Sequence, residues 1–362
     1  MTRAVTSSLL PLLLLLVWLL LGGGVALATS NDANHWAVLV CSSRYWFNYR
    51  HLANTLSMYR TIRRLGIPDD HIVMMSASDA PCNARNPHPG TVLVSKNDGA
   101  SSDVYGSGEV EVDYQGEDAS VDSLMRVLTG NHFPSTPFSR RLLTNSDSHV
   151  LVFLSGHGGD EFLKFHDAEE LTAADLGYAL SEMHAKGRYK ELLLLVDTCQ
   201  AATLAARITA PGVTTVSSSL KGENSYAHEA RGDLGGVAVI DRFTHASTSF
   251  FRRNSAAITQ AQRDRRIGGL NNDSNLAPLT LQHYISSLDA RDLFSTASVQ
   301  TSPQTRHPRD VPLLDFFGGG RHYEVVFTPL RLVAAPLSAD QDGQEEEDRL
   351  EMALLQEFLA DD

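Results

Sequence analysis

The stretch HVLVFLSGHGGDEF (149–162) decides the reading of this chain, together with its counterpart ELLLLVDTCQAATL (191–204). Each is a continuous apolar run that stops in a small polar turn. Runs of this length and composition, Val150–Leu154 and Leu192–Val196, are expected of strands buried on both faces of a sheet. Between them, Leu171–Ala185 reads as a helix, with Thr172 as N-cap, Asp175 three residues later and Gly187 beyond the end. Strand, helix and strand of this length form a right-handed crossover with the strands parallel. Both carboxyl ends then lie on one edge of the sheet, where open α/β folds place their ligand sites. His157 and Cys199, 42 residues apart, become neighbours by this argument.

A histidine beside a cysteine is the constellation of an activated sulfur nucleophile. The thiol needs a base or a favourable field to become thiolate near neutral pH. His157 supplies the base. The helix-prone segment QAATLAARI after Cys199 is expected to place the sulfur at a helix N-terminus. Gly156, Gly158 and Gly159 beside the histidine allow a substrate carbonyl to approach the backbone, and the N–H groups of Gly158 and Cys199 are candidates for an oxyanion hole.

The SGHGG and DTCQ motifs resemble those of the caspase-like cysteine peptidases of the legumain family, and most closely its GPI-anchor transamidase branch. The resemblance extends through NHWAVLVCSSRYWFNYRHLANTLSMYRTIRRLGIPDDHIV (34–73), CNARNPHPGTV (82–92), VEVDY (110–114), LMRVLTG (124–130) and DVPLLDFFGG (310–319), covering about Asn34 to Phe327. It implies a caspase-like three-layer α/β fold with a mostly parallel central sheet flanked by helices. It also implies a reaction. Cys199 attacks the ω-residue carbonyl of a proprotein bearing a C-terminal GPI signal, and the ethanolamine amine of a GPI lipid resolves the thioester. The alternative on the same scaffold is a legumain-like endopeptidase that hydrolyses after Asn or Asp. By resemblance Asn48 orients the imidazole, Arg50 and His51 belong to the substrate pocket, and Ser218 and Ser219 to its wall. Read without the resemblance, Asn48 is a turn residue and Arg50 a surface residue of a helix.

The amino terminus reads as a secretory signal. Arg3, the Leu-rich run Leu9–Leu21 and the A-x-A sequence Ala26-Leu27-Ala28 predict cleavage after Ala28, the other reading being an uncleaved anchor. The catalytic domain is expected over 29–330, with a surface insertion over 251–275 carrying the sequon Asn272-Asp273-Ser274, and a tail over 331–362. No other run of the sequence is as apolar, so the mature chain is expected to be soluble by itself, although members of the family it resembles often end in a transmembrane helix. The resemblance implies a place in the endoplasmic reticulum lumen, held at the membrane by partner subunits of a transamidase complex.

Three cysteines remain after Ala28, too few and too odd in number for a disulfide-stapled scaffold. Cys41 ends an apolar strand and Cys82 lies in a polar loop. The resemblance implies that Cys82 bonds a partner subunit, the competing arrangement being a Cys41–Cys82 bond. The chemistry requires no cofactor, and the cysteines and histidines show no zinc spacing. Glu109, Glu111 and Asp113 alternate as on one face of a strand. Either they hold a structural Ca2+ with Asp69, which the resemblance brings near, or they form a solvated acidic edge.

The net charge is −13, and Asp340–Asp362 carries ten acidic residues against one arginine. The catalytic body is therefore nearly balanced, and nothing in it forms the basic stripe of a nucleic-acid binder. Leu350, Leu354, Leu355, Phe358 and Leu359 give the tail one apolar helical face.

Overall fold

Alternation along β1 (His35–Cys41) organises the molecule. Ala37, Leu39 and Cys41 enter one apolar cluster, while Trp36, Val38 and Val40 enter another on the opposite face of the sheet. A strand buried on both faces needs cover on both, and this sets three layers.

The computed structural model describes residues 34–95, 103–106, 110–266 and 279–317, with no side-chain description for 263–266. In chain order β1 is followed by α1 (Tyr49–Arg64), β2 (Ile72–Ser76), β3 (Tyr114–Gln115), α2 (Val121–Thr129) and β4 (His149–Ser155). A three-stranded excursion follows: β5 (Gly158–Gly159), β6 (Phe162–Phe165) and β7 (Glu169–Thr172). Then come α3 (Ala173–Ala185), β8 (Glu191–Asp197), β9 (Val213–Ser217), the hairpin of β10 (Ala227–Arg231) and β11 (Val237–Asp241), α4 (Arg242–Arg266), α5 (Leu281–Ser286), α6 (Ala290–Leu293) and β12 (Ser298–Thr301).

The central sheet runs β12-β9-β8-β4-β1-β2-β3, and every pairing is parallel except β12 with β9. This is the α/β architecture expected from the sequence. α1, α4 and α5 pack on the face of Leu39, Phe153 and Leu195, and α2 and α3 on the face of Val152, Leu194 and Val196. Leu192–Leu195 are all 0 % exposed. Burial of each such side chain stabilises the fold by about 1.5–3 kcal/mol relative to exposure.

Local chemistry sets the ends of α3. The Thr172 hydroxyl accepts from Asp175 N–H at 3.1 Å, and the Asp175 carboxylate accepts in return from Thr172 N–H at 3.4 Å. The helix begins two residues later than expected because Leu171 and Thr172 still pair with β6.

Two expectations are corrected. The segment expected as a surface insertion from Phe251 is, through Arg266, the continuation of α4. Phe251 and Ile258 are buried, and the Gln262 amide donates to the carbonyls of Leu65 and Phe317. Exposed arginines, Arg252 and Arg253, interrupt this apolar stripe in the sequence. The acidic strand expected over 109–113 is also absent among its described residues, and only Tyr114–Gln115 pairs with β2. Glu109, the sequon, the amino-terminal segment and the tail lie outside the described residues. No helix among the described residues is long and apolar enough to cross a membrane.

Candidate active site

The β4–β8 register brings the two motifs together. Ser155 at the end of β4 pairs with Asp197 at the end of β8, so His157 and Cys199 each lie two residues beyond a paired position. The turns touch: a Cβ placed on Gly158 would lie 2.6 Å from Thr198 Oγ1 and 2.8 Å from the carbonyl oxygen of Phe162. Only glycine fits there.

Asn48 closes the third side. It caps α1, is 1 % exposed, and its amide nitrogen donates to Arg44 O at 2.8 Å. That bond turns the amide oxygen toward His157, whose Nε2 lies 2.7 Å from Asn48 Oδ1. Nε2–H is therefore the donor, and Nδ1 of the neutral ring is left as an acceptor. Burial, and then the charge of Arg50, hold the imidazole below its usual value, so it stands ready to accept a proton at neutral pH.

The backbone around the sulfur is nearly all engaged. Thr198 N–H donates to Ser218 Oγ, Gln200 N–H to Glu223 O, and Ala201 N–H to Ser219 Oγ. Cys199 N–H has no partner among the described residues. Gly158 faces Leu163 in a non-hydrogen-bonded pair, because the adjoining bond runs from Lys164 N–H to His157 O at 2.8 Å. Among the described residues, these two N–H groups, in the turns that carry His157 and Cys199, are thus left without partners.

The segment after the cysteine differs from expectation. It is a five-residue 3-10 helix, Ala201–Ala205, entered through Gln200 in the left-handed region. Ser218 and Ser219 also take another position. Both are 0 % exposed, and their hydroxyls donate to Thr198 O at 3.0 and 2.9 Å. They lie beneath the Cys199 turn and hold it, rather than facing an open pocket. Small hydroxyls suit this place because each can donate to a carbonyl and accept from an N–H.

Beneath the histidine is a network that the motifs did not reveal. Arg50 Nε lies 3.2 Å from Asp241 Oδ1, and Asn54 Nδ2 donates to Asp241 Oδ2 at 2.6 Å. Asn54 also donates to Ser155 Oγ, two residues before His157. His51 stands edge-on to His157, with ring centroids 4.8 Å apart, and its Nδ1 lies 2.8 Å from Ser43 Oγ. Burial, then Arg50 and His157, keep His51 neutral well below its usual value. Asp197 accepts from Thr244 and Ser225 at 2.6 and 2.7 Å. Desolvation, and then the nearby Asp241 charge, raise Asp197 to about 7.

A family model described as the peptidase C13 family matches residues 35–249. The chain belongs to the peptidase C13 family. It is 45 % identical over 296 residues to a putative GPI-anchor transamidase of Caenorhabditis elegans, covering 82 % of this chain and 86 % of that one. The GPI-anchor transamidases of Schizosaccharomyces pombe and Homo sapiens are 43 % and 42 % identical. Those alignments cover 82 % and 84 % of this chain, and 73 % and 71 % of the relatives. Caspase-1 from Spodoptera frugiperda is a structural neighbour at a TM-score of 0.40 and 10 % identity, covering 80 % of this chain and 94 % of that one.

Other candidate residues of this C13 chain lie apart from the dyad. Cys82 is exposed at the end of a 3-10 turn, Cys41 is fully buried, and all three cysteines are free thiols. Desolvation pushes the Cys41 thiol up to about 12, so it is inert. Asp113 accepts from Met74 N–H at 2.8 Å and is raised to about 6 by burial, with Glu111 and Asp69 adding repulsion. The Tyr59 hydroxyl donates to Asp69. Asp69, Glu111 and Asp113 interact electrostatically but do not bring three donor atoms within 4.8 Å of one another. Among the described residues, the one set of three His, Cys, Asp or Glu donor atoms within 4.8 Å of one another is His149, Glu191 and Asp315. There the Arg306 guanidinium bonds both carboxylates, so the cation is the protein's own.

Proposed function

We infer that this C13 chain is a cysteine-dependent GPI-anchor transamidase. Cys199 Sγ attacks the carbonyl carbon of the scissile peptide while His157 Nδ1 takes the thiol proton. The tetrahedral oxyanion is met by Gly158 N–H and Cys199 N–H. As the C–N bond breaks, the imidazolium protonates the departing amine and a thioester remains. The ethanolamine amine of a GPI lipid then attacks the thioester, His157 removes its excess proton, and the sulfur leaves to be reprotonated. Asn48 holds the imidazole in the tautomer that both halves require.

The observation that carries this reading is the Asn48–His157 hydrogen bond on the sheet edge that presents Cys199, in a chain so similar to proteins named GPI-anchor transamidases. The same reading places the chain at the endoplasmic reticulum membrane within a multi-subunit complex. The exposed, unpaired Cys82 is its covalent link to a partner subunit.

The test follows a GPI-signal-bearing proprotein in microsomes containing wild-type or Cys199→Ala protein, with and without hydrazine. Hydrazide formed only by the wild type supports a thioester that yields to amines. Cleavage to free acid alone favours hydrolysis, and equal cleavage by the variant removes Cys199 from the mechanism.

A further inference from the structure

Away from the dyad, cations crowd one cavity of about 390 Å3. His228 of β10, then Arg242, His245 and Arg253 of α4, form one side of it; Arg291 and Phe294 form the other. Asp292 is the single carboxylate residue in the described lining, and its backbone carbonyl accepts from Arg242 Nη1 at 2.9 Å. The Arg242 guanidinium lies 3.8 Å over the Phe294 ring, yet its buried Nε has no hydrogen-bond partner. Arg253 makes no side-chain hydrogen bond or ion pair among the described residues, whereas Arg291 is held by Asp289.

The two imidazoles add unpartnered ring nitrogens rather than charge. His228 and His245 stack at 3.9 Å with planes 17° apart, and their ring nitrogens have no partners among the described residues. Burial, then the neighbouring cations, depress both, His245 to about 4. Buried donors and charges are ordinarily satisfied. Here one buried, unbonded guanidinium N–H, that of Arg242, faces the same space as the exposed free guanidinium of Arg253, the half-buried His245 and the exposed His228. A tetrahedral anion with several acceptor oxygens answers donors converging from several sides, and guanidinium groups match phosphate geometry well.

We propose that this cavity is a phosphate-binding subsite that takes a phosphate ester of the glycolipid acceptor. The proposal rests on the transamidase reading and deepens it. The volume leaves room for the group attached to the phosphate. Exposed Phe294 and Tyr226 stand edge to face with centroids 6.4 Å apart, offering aromatic faces beside the cavity. The subsite is also joined to the catalytic network: Arg242 directly follows Asp241, which holds Arg50 and Asn54 beneath His157.

Arg253→Glu and His245→Phe test it, since neither residue touches the dyad. In microsomes two products are followed, glycolipid-linked protein and the hydrazide formed with added hydrazine. Both variants should lower glycolipid transfer about tenfold, the loss of one charge-assisted hydrogen bond, and leave hydrazide formation within about twofold of wild type. Inorganic phosphate, compared with chloride at equal ionic strength, should inhibit wild-type glycolipid transfer and spare hydrazide formation. Equal loss of both products would assign the residues a structural role and overturn the proposal. Unchanged glycolipid transfer in the variants would overturn it too, leaving at most a site for free phosphate if wild-type protein still responds to that ion. Hydrazide formation independent of Cys199 would instead defeat the transamidase reading, a separate outcome.

Discussion

Asn48 Oδ1 lies 2.7 Å from His157 Nε2, while the Asn48 amide nitrogen is committed to Arg44 O. One side chain thus sets both the plane and the tautomer of the base. Asn48→Ala is expected to lower the rate of Cys199-dependent hydrazide formation by about 10² while leaving substrate affinity nearly intact. Asn48→Asp keeps the acceptor but adds a negative charge, so the acid limb of the pH–rate profile should move to higher pH. Rate profiles for the three proteins check both points.

Arg50 acts on the same imidazole in the opposite sense. Burial and the Arg50 charge both lower His157 from 6.5. The acid limb of the wild-type profile should therefore fall below pH 6.5. Arg50→Gln removes a positive charge, stabilises the imidazolium and should shift that limb upward. A limb that does not move would place the Arg50 charge outside the electrostatics of His157.

Asp197 and Asp241 bury two carboxyl groups beside each other under the site. Asp197 rises from 3.8 to about 7, so between these values the folded protein binds more protons than the unfolded chain. Stability then falls as pH climbs through that window, and it is highest with respect to this group at the acidic end. Asp197→Asn should flatten the decline, although asparagine cannot accept from both Thr244 and Ser225 through carboxylate oxygens. Urea midpoints at pH 5 and pH 8 for both proteins measure the difference.

Gly158 has no room for a side chain. A Cβ would meet Phe162 O at 2.8 Å and Thr198 Oγ1 at 2.6 Å, forcing the turn and its N–H away from the dyad. Gly158→Ala should cost about 1–3 kcal/mol in stability and reduce hydrazide formation by about 10² or more. Denaturant midpoints and initial rates separate the two effects.

Arg306 joins two distant parts of the chain by bonding Glu191 at the start of β8 and Asp315 near the end of the described residues. Desolvation opposes ionisation of Glu191, but hydrogen bonds from His149 and Arg306 prevail and bring it to about 2. Arg306→Ala takes the shared cation from two buried carboxylates, Glu191 and Asp315, and should destabilise the protein by about 3 kcal/mol. The loss should be largest near neutral pH and shrink as acid protonates Glu191 in both proteins.

What the sequence determined by itself is local or periodic. Apolar runs ending at Ser155 and Asp197, the Thr172–Asp175 cap and the parallel crossover suffice to put His157 and Cys199 on one sheet edge, because strand direction and crossover handedness follow from chain-local sterics. Asn48 is legible only through resemblance, since its turn carries no local sign of a partner 109 residues away. Tertiary structure alone decided the rest. Asp241 meets Asn54 across 187 residues, and Ser218 and Ser219 lie beneath the Cys199 turn rather than along an open pocket. The Arg242–His245 cavity exists because a hairpin, the start of a helix and a distant turn converge. No periodicity records such meetings. They are fixed only when burial forces polar groups from remote segments to find partners in one another.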